Sequence, residues 1–346
     1  MKHYLLLKKI EVQNANAVAG LTYGFPAITN FLGFAHALSR KLQPKLSVTL
    51  GGVAVVSHKN AVHARQPSGW GDYVFALTRN PVAAKVKSNA DLFDKEGRLK
   101  APSINEEGRM SMQVSLLIEL EGLTAGDSQT AEQLMTELHR FVPAMRLAGG
   151  QIVQVQAYDL LTSEQQQTQA LRRLMPGFVL IDRRNYLAEH FAALQKTQPE
   201  ATLMDAWCDF ATLSYKATPL DGEEVSEEGE SKIKANWEYQ PKPNAGYLVP
   251  IASGYCAISE CYSAGEVANV RDTTVPVAFA ETAYTVGEWL SVHRLENIQR
   301  GIWHYHHDYP WYLAQGYVLE INTIQQEIPQ PDLMDETEEY GFDPDN

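Results

Sequence analysis

Cysteine is scarce: three residues (Cys208, Cys256, Cys261) in 346, too few and too odd in number for a disulfide framework, so they read as reduced thiols. No apolar run approaches the roughly 18–20 residues of a membrane span, and Tyr4 to Leu7 is too short for a signal-peptide core. The chain is therefore expected to stay in the cytoplasm, with no membrane contact. Catalytic signatures are also missing. There is no Gly-x-Ser-x-Gly, no Walker-type phosphate loop, no Gly-x-Gly-x-x-Gly and no His-Glu-x-x-His. Two segments lack any basic residue. Asp221 to Glu230 carries six acids and Glu327 to Asn346 carries eight. Removing these 14 from the 42 Asp plus Glu leaves 28 against 29 Lys plus Arg, so the net charge of −13 hides a body near +1. Met1 to Met110 holds 15 basic and 7 acidic residues, a basic region of the kind that attracts phosphate backbones.

What is present is a soluble composition, 45% hydrophobic and 21% charged, in a chain long enough for one large domain or two ordinary ones. Tyr4 to Val12 reads as a strand. Ile28, Phe31, Leu32, Ala35, Leu38 and Leu42 recur at helical spacing after Pro26 and stop before Pro44. Ser47 to Ser57 is a β-branched strand whose Gly51-Gly52 predicts a bulge or a tight bend, and Asp72 to Thr78 reads as another strand. Met112, Val114, Leu116, Ile118 and Leu120 alternate with polar residues, with Leu117 out of step. A helix near Thr130 to Arg140 and an alternating strand Ile152 to Tyr158 follow.

This order predicts an α+β fold: an RRM-like or ferredoxin-like βαββαβ domain over residues 1–160, carrying a basic hairpin or loop at 80–109. A helical segment is expected over 161–220, with helices at Ser163 to Met175, Tyr186 to Gln195 and Ala201 to Tyr215. An acidic linker is expected over 221–235, and an aromatic-rich region with short strands over 236–326. Residues 327–346 read as an acidic, disordered tail, because clustered like charge with few apolar anchors cannot offset ordering entropy.

Several residues are candidates for chemistry. Asn14, Asn16, Tyr23 and Phe25 combine amide donors with aromatic faces, as single-stranded RNA recognition does, although Tyr23 and Phe25 also suit a hydrophobic staple at the helix start. Gly33, His36 and Arg40 share one flank of that helix, suiting either a phosphate or plain solvation. His58, Lys59, His63 and Arg65 read as a basic loop after a strand or, alternatively, His58 and His63 move protons while Arg65 steadies phosphate charge in a metal-independent endoribonuclease. Lys85, Lys87, Lys95, Arg98, Lys100 and Arg109 stud the insertion. His304, His306 and His307 with Cys256 and Cys261 are spaced poorly for zinc, so no metal or cofactor is expected. Trp289, Trp303, Tyr305 and Trp311 concentrate aromatic surface that suits a partner interface or a self-contained mini-core.

The runs QNANAVAGLTYGFPAITNFLGFAHAL (Gln13 to Leu38), LTRNP (Leu77 to Pro81), EEGRMSMQVSLL (Glu106 to Leu117), MRLAGG (Met145 to Gly150), LVPIASGY (Leu248 to Tyr255), GEWLSVHR (Gly287 to Arg294) and WHYHH (Trp303 to His307) carry a resemblance. The chain resembles the Csy-two family of type I-F CRISPR Cascade complexes, Cas-five-like members of the RAMP superfamily. The resemblance implies an RRM-like domain with an inserted thumb, no catalytic activity, and binding of the 5′ handle of CRISPR RNA. It also implies an antiviral surveillance complex that engages target double-stranded DNA, in which the chain pairs with a large Cas-eight-like subunit and docks on a Cas-seven-like backbone subunit. Trp289, His293, Arg294, Trp303, Tyr305 and Trp311 are the residues expected at partner contacts. The glycine-rich loop common in the wider superfamily is not evident near the C-terminus, and the acidic tail matches no motif of the family.

Overall fold

The consecutive burial of Tyr4, Leu5, Leu6 and Leu7 explains the architecture, because a strand buried on both faces needs cover on both sides of its sheet. The computed structural model describes residues 2–79, 106–124, 126–227 and 230–317. In chain order the main elements are β1 (His3–Asn16), α1 (Ile28–Leu42), β2 (Thr49–Val62), β3 (Arg109–Glu121), α2 (Ser128–Phe141) and β4 (Gly150–Leu161). They continue with α3 (Glu164–Arg173), β5 (Phe178–Asp182), α4 (Arg184–Thr197), α5 (Leu203–Ala211), β6 (Ser214–Glu227) and β7 (Glu230–Gln240). Last come β8 (Leu248–Ala257), β9 (Ala280–Ser291), β10 (Trp303–Asp308) and β11 (Trp311–Gly316).

The result is a mixed α and β architecture around one large antiparallel sheet. Behind a short edge strand, Arg146–Leu147, its order is β4-β1-β3-β2-β5-β9-β8-β11-β10. The sheet also curls back, because Trp303 of β10 pairs with Val53 of β2. Gly52 makes this approach possible. A Cβ there would lie 2.5 Å from Ile302 and 2.6 Å from His304. The register shifts between Leu50 and Val53, at the predicted bulge.

Two cores sandwich the first strands. Leu5, Leu7, Ile10, Leu116 and Ile118 face α1 and α2, whose Phe31, Leu38, Leu134 and Leu138 are buried against them. Tyr4, Leu6, Leu117, Val56 and Leu161 form the second core with Leu171 and Leu174 from α3 and its C-terminal end, and with Ile298 and Ile302. Leu117 therefore breaks the alternation of β3 because both faces of that strand are covered.

Helix ends follow local chemistry. Asp127 caps α2 by accepting from Thr130 N at 3.0 Å, Ser163 and Gln166 form a capping box on α3, and Thr202 and Asp205 form one on α5. α1 starts at Ile28, two residues after Pro26, and ends with Arg40 and Lys41 beside the negative pole of its dipole.

Three expectations differ from what the fold contains. Residues 221–227 and 230–235, read as part of a linker, lie in the antiparallel strands β6 and β7, where Thr218 pairs with Asn236 and Glu224 with Ile233. Asp72 to Thr78 holds only the two-residue strand Val74–Phe75 and the start of Thr78–Arg79. Of the two strands expected near Tyr247 to Ile258 and Thr274 to Thr285, β8 lies within the first range, whereas β9 is displaced along the chain, running from Ala280 to Ser291. Most of the 80–109 insertion and all of the acidic tail lie outside the described residues. Among the described residues, no helix is long and apolar enough to cross a membrane.

Candidate nucleic-acid interface

One end of the β1–β3–β2 ladder gathers many of the candidate residues. Asn16 of β1 pairs with Arg109 of β3, and the His63 backbone N–H donates to the Arg109 carbonyl at 2.8 Å. Arg109 also donates to the Asn14 carbonyl at 3.4 Å and pairs with Glu107. Asn14 has a left-handed backbone, φ 55°, a region that Asn tolerates better than most residues. The Asn16 amide is consumed locally, its Nδ2 donating to the Val18 carbonyl at 2.7 Å while its Oδ1 accepts from Val18 N. Arg65 is exposed in a short strand paired with Val74, and His63 Nε2 lies 3.2 Å from Ser111 Oγ.

The loop after β1 leads to an aromatic cavity. Gly20 lies against Tyr284, whose hydroxyl accepts from Leu21 N at 2.9 Å and so fixes the loop on β9. Tyr23 is 52% exposed and stacks on Phe75 with centroids 4.7 Å apart. Phe25 turns inward, meeting Phe31 at 5.7 Å and the edge of Trp289 at 4.9 Å. The staple reading thus suits Phe25, while Tyr23 keeps an open face. Together with Phe178, Trp207, Tyr247 and Asn60, the rings of Tyr23, Phe25 and Trp289 line a cavity of about 850 Å³, within the range of pockets that receive small organic groups. Trp207 is fixed by donating Nε1–H to the Thr285 carbonyl at 3.0 Å, and Tyr247 is 70% exposed.

A basic strip runs along the strands flanking β3. Lys8 and Lys9 sit where β1 shifts register between Leu7 and Ile10, and Lys59 sits where β2 shifts between Ser57 and Lys59. The side chains of these three lysines and of Arg65 have no ion-pair partner among the described residues. His58 lies among them. Its Nδ1–H donates to the Pro176 carbonyl at 2.9 Å, so its Nε2 accepts from the Ser115 hydroxyl at 2.8 Å. Ser115 Oγ in turn accepts from Lys9 N. Burial lowers the His58 pKa despite the Pro176 bond, and the nearby Lys9 and Lys8 charges lower it further. The imidazole is neutral and both its nitrogens are engaged. Ser115 is fully buried, which closes it to substrate. A poised base or nucleophile needs a reachable lone pair, and this pair offers none.

The remaining candidates are dispersed. His36 and Arg40 are exposed on α1, and no hydrogen bond or ion pair among the described residues joins them to the cluster. Lys85 and Lys87 lie outside the described residues. Trp289 lines the cavity, whereas His293 and Arg294 are exposed on the turn Val292–Arg294, with His293 Nδ1 2.7 Å from Ser291 Oγ. Trp303 offers a partner no surface: its ring is fully buried and its Nε1–H donates to the Leu180 carbonyl at 2.8 Å. Tyr305 is half-buried, donating to the Thr29 carbonyl at 3.0 Å, and burial beside Tyr312 pushes its hydroxyl pKa up. Trp311 remains 46% exposed on β11. Among the described residues no group of three or more His, Cys, Asp or Glu side chains is arranged to hold a metal ion.

Lys8, Lys9, Phe178 and Trp207 went unnoticed in the sequence reading, and Lys59 and Tyr247 were noted there only as part of a basic loop and of an aromatic-rich region. Two adjacent lysines inside an aliphatic strand were the available signal for the first pair. The aromatic residues meet only through contacts distant in sequence, Trp207 from α5 against β9.

Two comparisons bear on this arrangement. A family model described as CRISPR-associated protein (Cas_Csy2) matches residues 5–314. The CRISPR-associated protein Csy2 of Pseudomonas aeruginosa (strain UCBPP-PA14) is 37% identical over 321 residues, covering 88% of this chain and 92% of that protein.

Proposed function

The chain belongs to the CRISPR-associated Csy2 family, and from that premise we propose that it is the non-catalytic subunit that holds the 5′ handle of CRISPR RNA in a type I-F, Cascade-like complex. The observations that carry the reading are the basic side chains of Lys8, Lys9, Lys59 and Arg65, which have no ion-pair partner among the described residues, and an aromatic cavity rimmed by the exposed Tyr23 and Tyr247. Single-stranded RNA is held by that combination: cations follow the phosphates while unstacked bases lie on rings. The β4-β1-β3-β2 order with α1 and α2 on one face supports an RRM-like reading of the first 160 residues.

In this reading Asn14, Tyr23, His63, Arg65 and Arg109 contact the handle at the ladder end, and the basic insertion, including Lys85 and Lys87, continues the path as a thumb. The large Cas-eight-like subunit covers the exposed Trp311 together with His293 and Arg294, a Cas-seven-like backbone subunit docks nearby, and target double-stranded DNA is reached through the assembled complex. The saturated hydrogen bonds of His58 and the burial of Ser115 speak against the endoribonuclease alternative. The test is co-purification of the full chain with the large subunit, with and without CRISPR RNA. RNA-dependent recovery with handle protection supports the proposal, and cleavage of the repeat by the chain alone overturns it.

A further inference from the structure

The aromatic cavity has no charge of its own. Among the described residues that line it there is no Lys, Arg, His, Asp or Glu, so a phosphate finds no counter-ion there and the cavity suits a neutral ligand. Its walls are rings, with Phe25 and Trp289 meeting edge to face. Two of its polar side chains are already spent, Thr22 Oγ1 donating to the Ala19 carbonyl and Trp207 Nε1 to the Thr285 carbonyl. Ser57 and Asn60 are not. Neither side chain has a hydrogen-bond partner among the described residues, and Ser57 is only 7% exposed.

Both residues come from β2, and a regular strand would point residues three apart to opposite faces. β2 is irregular there. Ser57 and Lys59 lie opposite the consecutive residues Val114 and Gln113, which makes His58 an extra residue, and Asn60 lies opposite Met112. Val114 and Met112 are two apart and share a face of β3, so the bulge turns Asn60 onto the face of Ser57. His58 pins the bulge through its contacts with Pro176 and Ser115, which gives an imidazole with both nitrogens engaged a positioning role.

A flat group lodged among these walls must also satisfy a hydroxyl and an amide. An apolar side chain would leave both unpaired, whereas a nucleobase has faces that stack and an edge of donors and acceptors that Asn and Ser recognise. We infer that the cavity receives one unstacked nucleobase of the handle with its edge against Asn60 and Ser57, which makes these two residues the readers of base identity at that position. This rests on the proposed RNA binding and locates its base preference in β2.

The experiment uses the full chain, its Asn60→Leu and Ser57→Ala variants, and handle RNAs in which each position in turn is made abasic or given each of the four bases. One position should be sensitive. Removing its base should weaken parental binding about tenfold, and one base there should be preferred about tenfold over the others. In Asn60→Leu the preference should shrink to about twofold, with the salt dependence of binding unchanged because no phosphate contact is lost. Ser57→Ala should weaken the preference in the same direction. No sensitive position, or a preference that survives in both variants, overturns the inference. If handle RNA binds no form of the chain, the RNA reading fails instead, and saturation-transfer NMR with the four free nucleosides judges the cavity. Transfer to a nucleoside that is lost in Asn60→Leu upholds base binding there, and no transfer, or transfer that Asn60→Leu leaves intact, overturns it.

Discussion

Replacing Trp303 by Ala tests whether the aromatic C-terminal region is core or interface at that position. The ring is fully buried, its N–H satisfies the Leu180 carbonyl, and its backbone pairs with Val53, so it joins β10 to both β5 and β2. Truncating a buried Trp costs about 3–5 kcal/mol through lost transfer energy and the residual cavity. Orphaning the Leu180 carbonyl adds about 1–3 kcal/mol. The sum, about 4–8 kcal/mol, is comparable to the whole stability of a typical domain, about 5–15 kcal/mol. Trp303→Phe keeps most of the ring and loses the donor, so it should cost about 1–3 kcal/mol. Trp311→Ala, at a 46% exposed position, should cost about 1 kcal/mol or less. Urea unfolding followed by far-ultraviolet circular dichroism should rank Trp303→Ala far below Trp303→Phe, with Trp311→Ala nearest the parent. A Trp303→Ala stability within about 0.5 kcal/mol of the parent would refute the claim that this ring closes the sheet.

Three further outcomes follow from the same geometry. Burial alone would raise the Glu119 carboxyl, but hydrogen bonds from His304 at 2.6 Å and Lys2 at 2.7 Å outweigh it and hold the pKa at about 2. Being depressed in the folded chain, it contributes stability above pH about 4.5 that is lost as pH falls towards about 2, on the order of 2 kcal/mol after screening of the half-exposed partners. Acid unfolding of Glu119→Gln should lack that component, and an unchanged pH profile would count against the network. Gly52→Ala should lower thermal stability, because its Cβ meets Ile302 and His304 within 2.7 Å, and a neutral result would mean β10 sits elsewhere. His58→Ala should leave RNA uncleaved, as in the parent chain, while costing about 1–2 kcal/mol for the bonds to Ser115 and Pro176. Parental cleavage that vanishes in this variant would restore the endoribonuclease alternative.

The first half of the sheet was legible because its signals are local. The α1 stripe, the alternation in β3 and the Gly51-Gly52 bulge each report a period or a steric need that a short window contains. Leu117 looked anomalous only because the second core comes from α3 and the Ile298 turn, far along the chain. The hairpin β6–β7 was hidden by its composition, since a charge-rich segment has no hydrophobic period to display. The aromatic cavity was half visible. Tyr23 and Phe25 stood out beside a helix start, but Tyr247 and Trp289 join them through the β9–β8 and β9–β5 pairings and Trp207 through the seat of α5 on β9, which no local pattern encodes. His58 was identified as a chemical candidate by residue type, and only its contacts with Ser115 and Pro176 reveal that its nitrogens are spent.

The central claim is that the strip and cavity hold single-stranded CRISPR RNA. Its most direct measurement is the affinity of the full chain for the handle RNA across a salt series, for the parent and for the variant with Lys8, Lys9, Lys59 and Arg65 replaced by Ala. Each phosphate contact contributes about 0.7 to the slope of log affinity against log salt on single strands. Loss of four contacts should therefore flatten the slope by up to about 3, with Tyr23→Ala weakening binding at every salt concentration and leaving the slope intact. An unchanged slope in the quadruple variant would contradict the account.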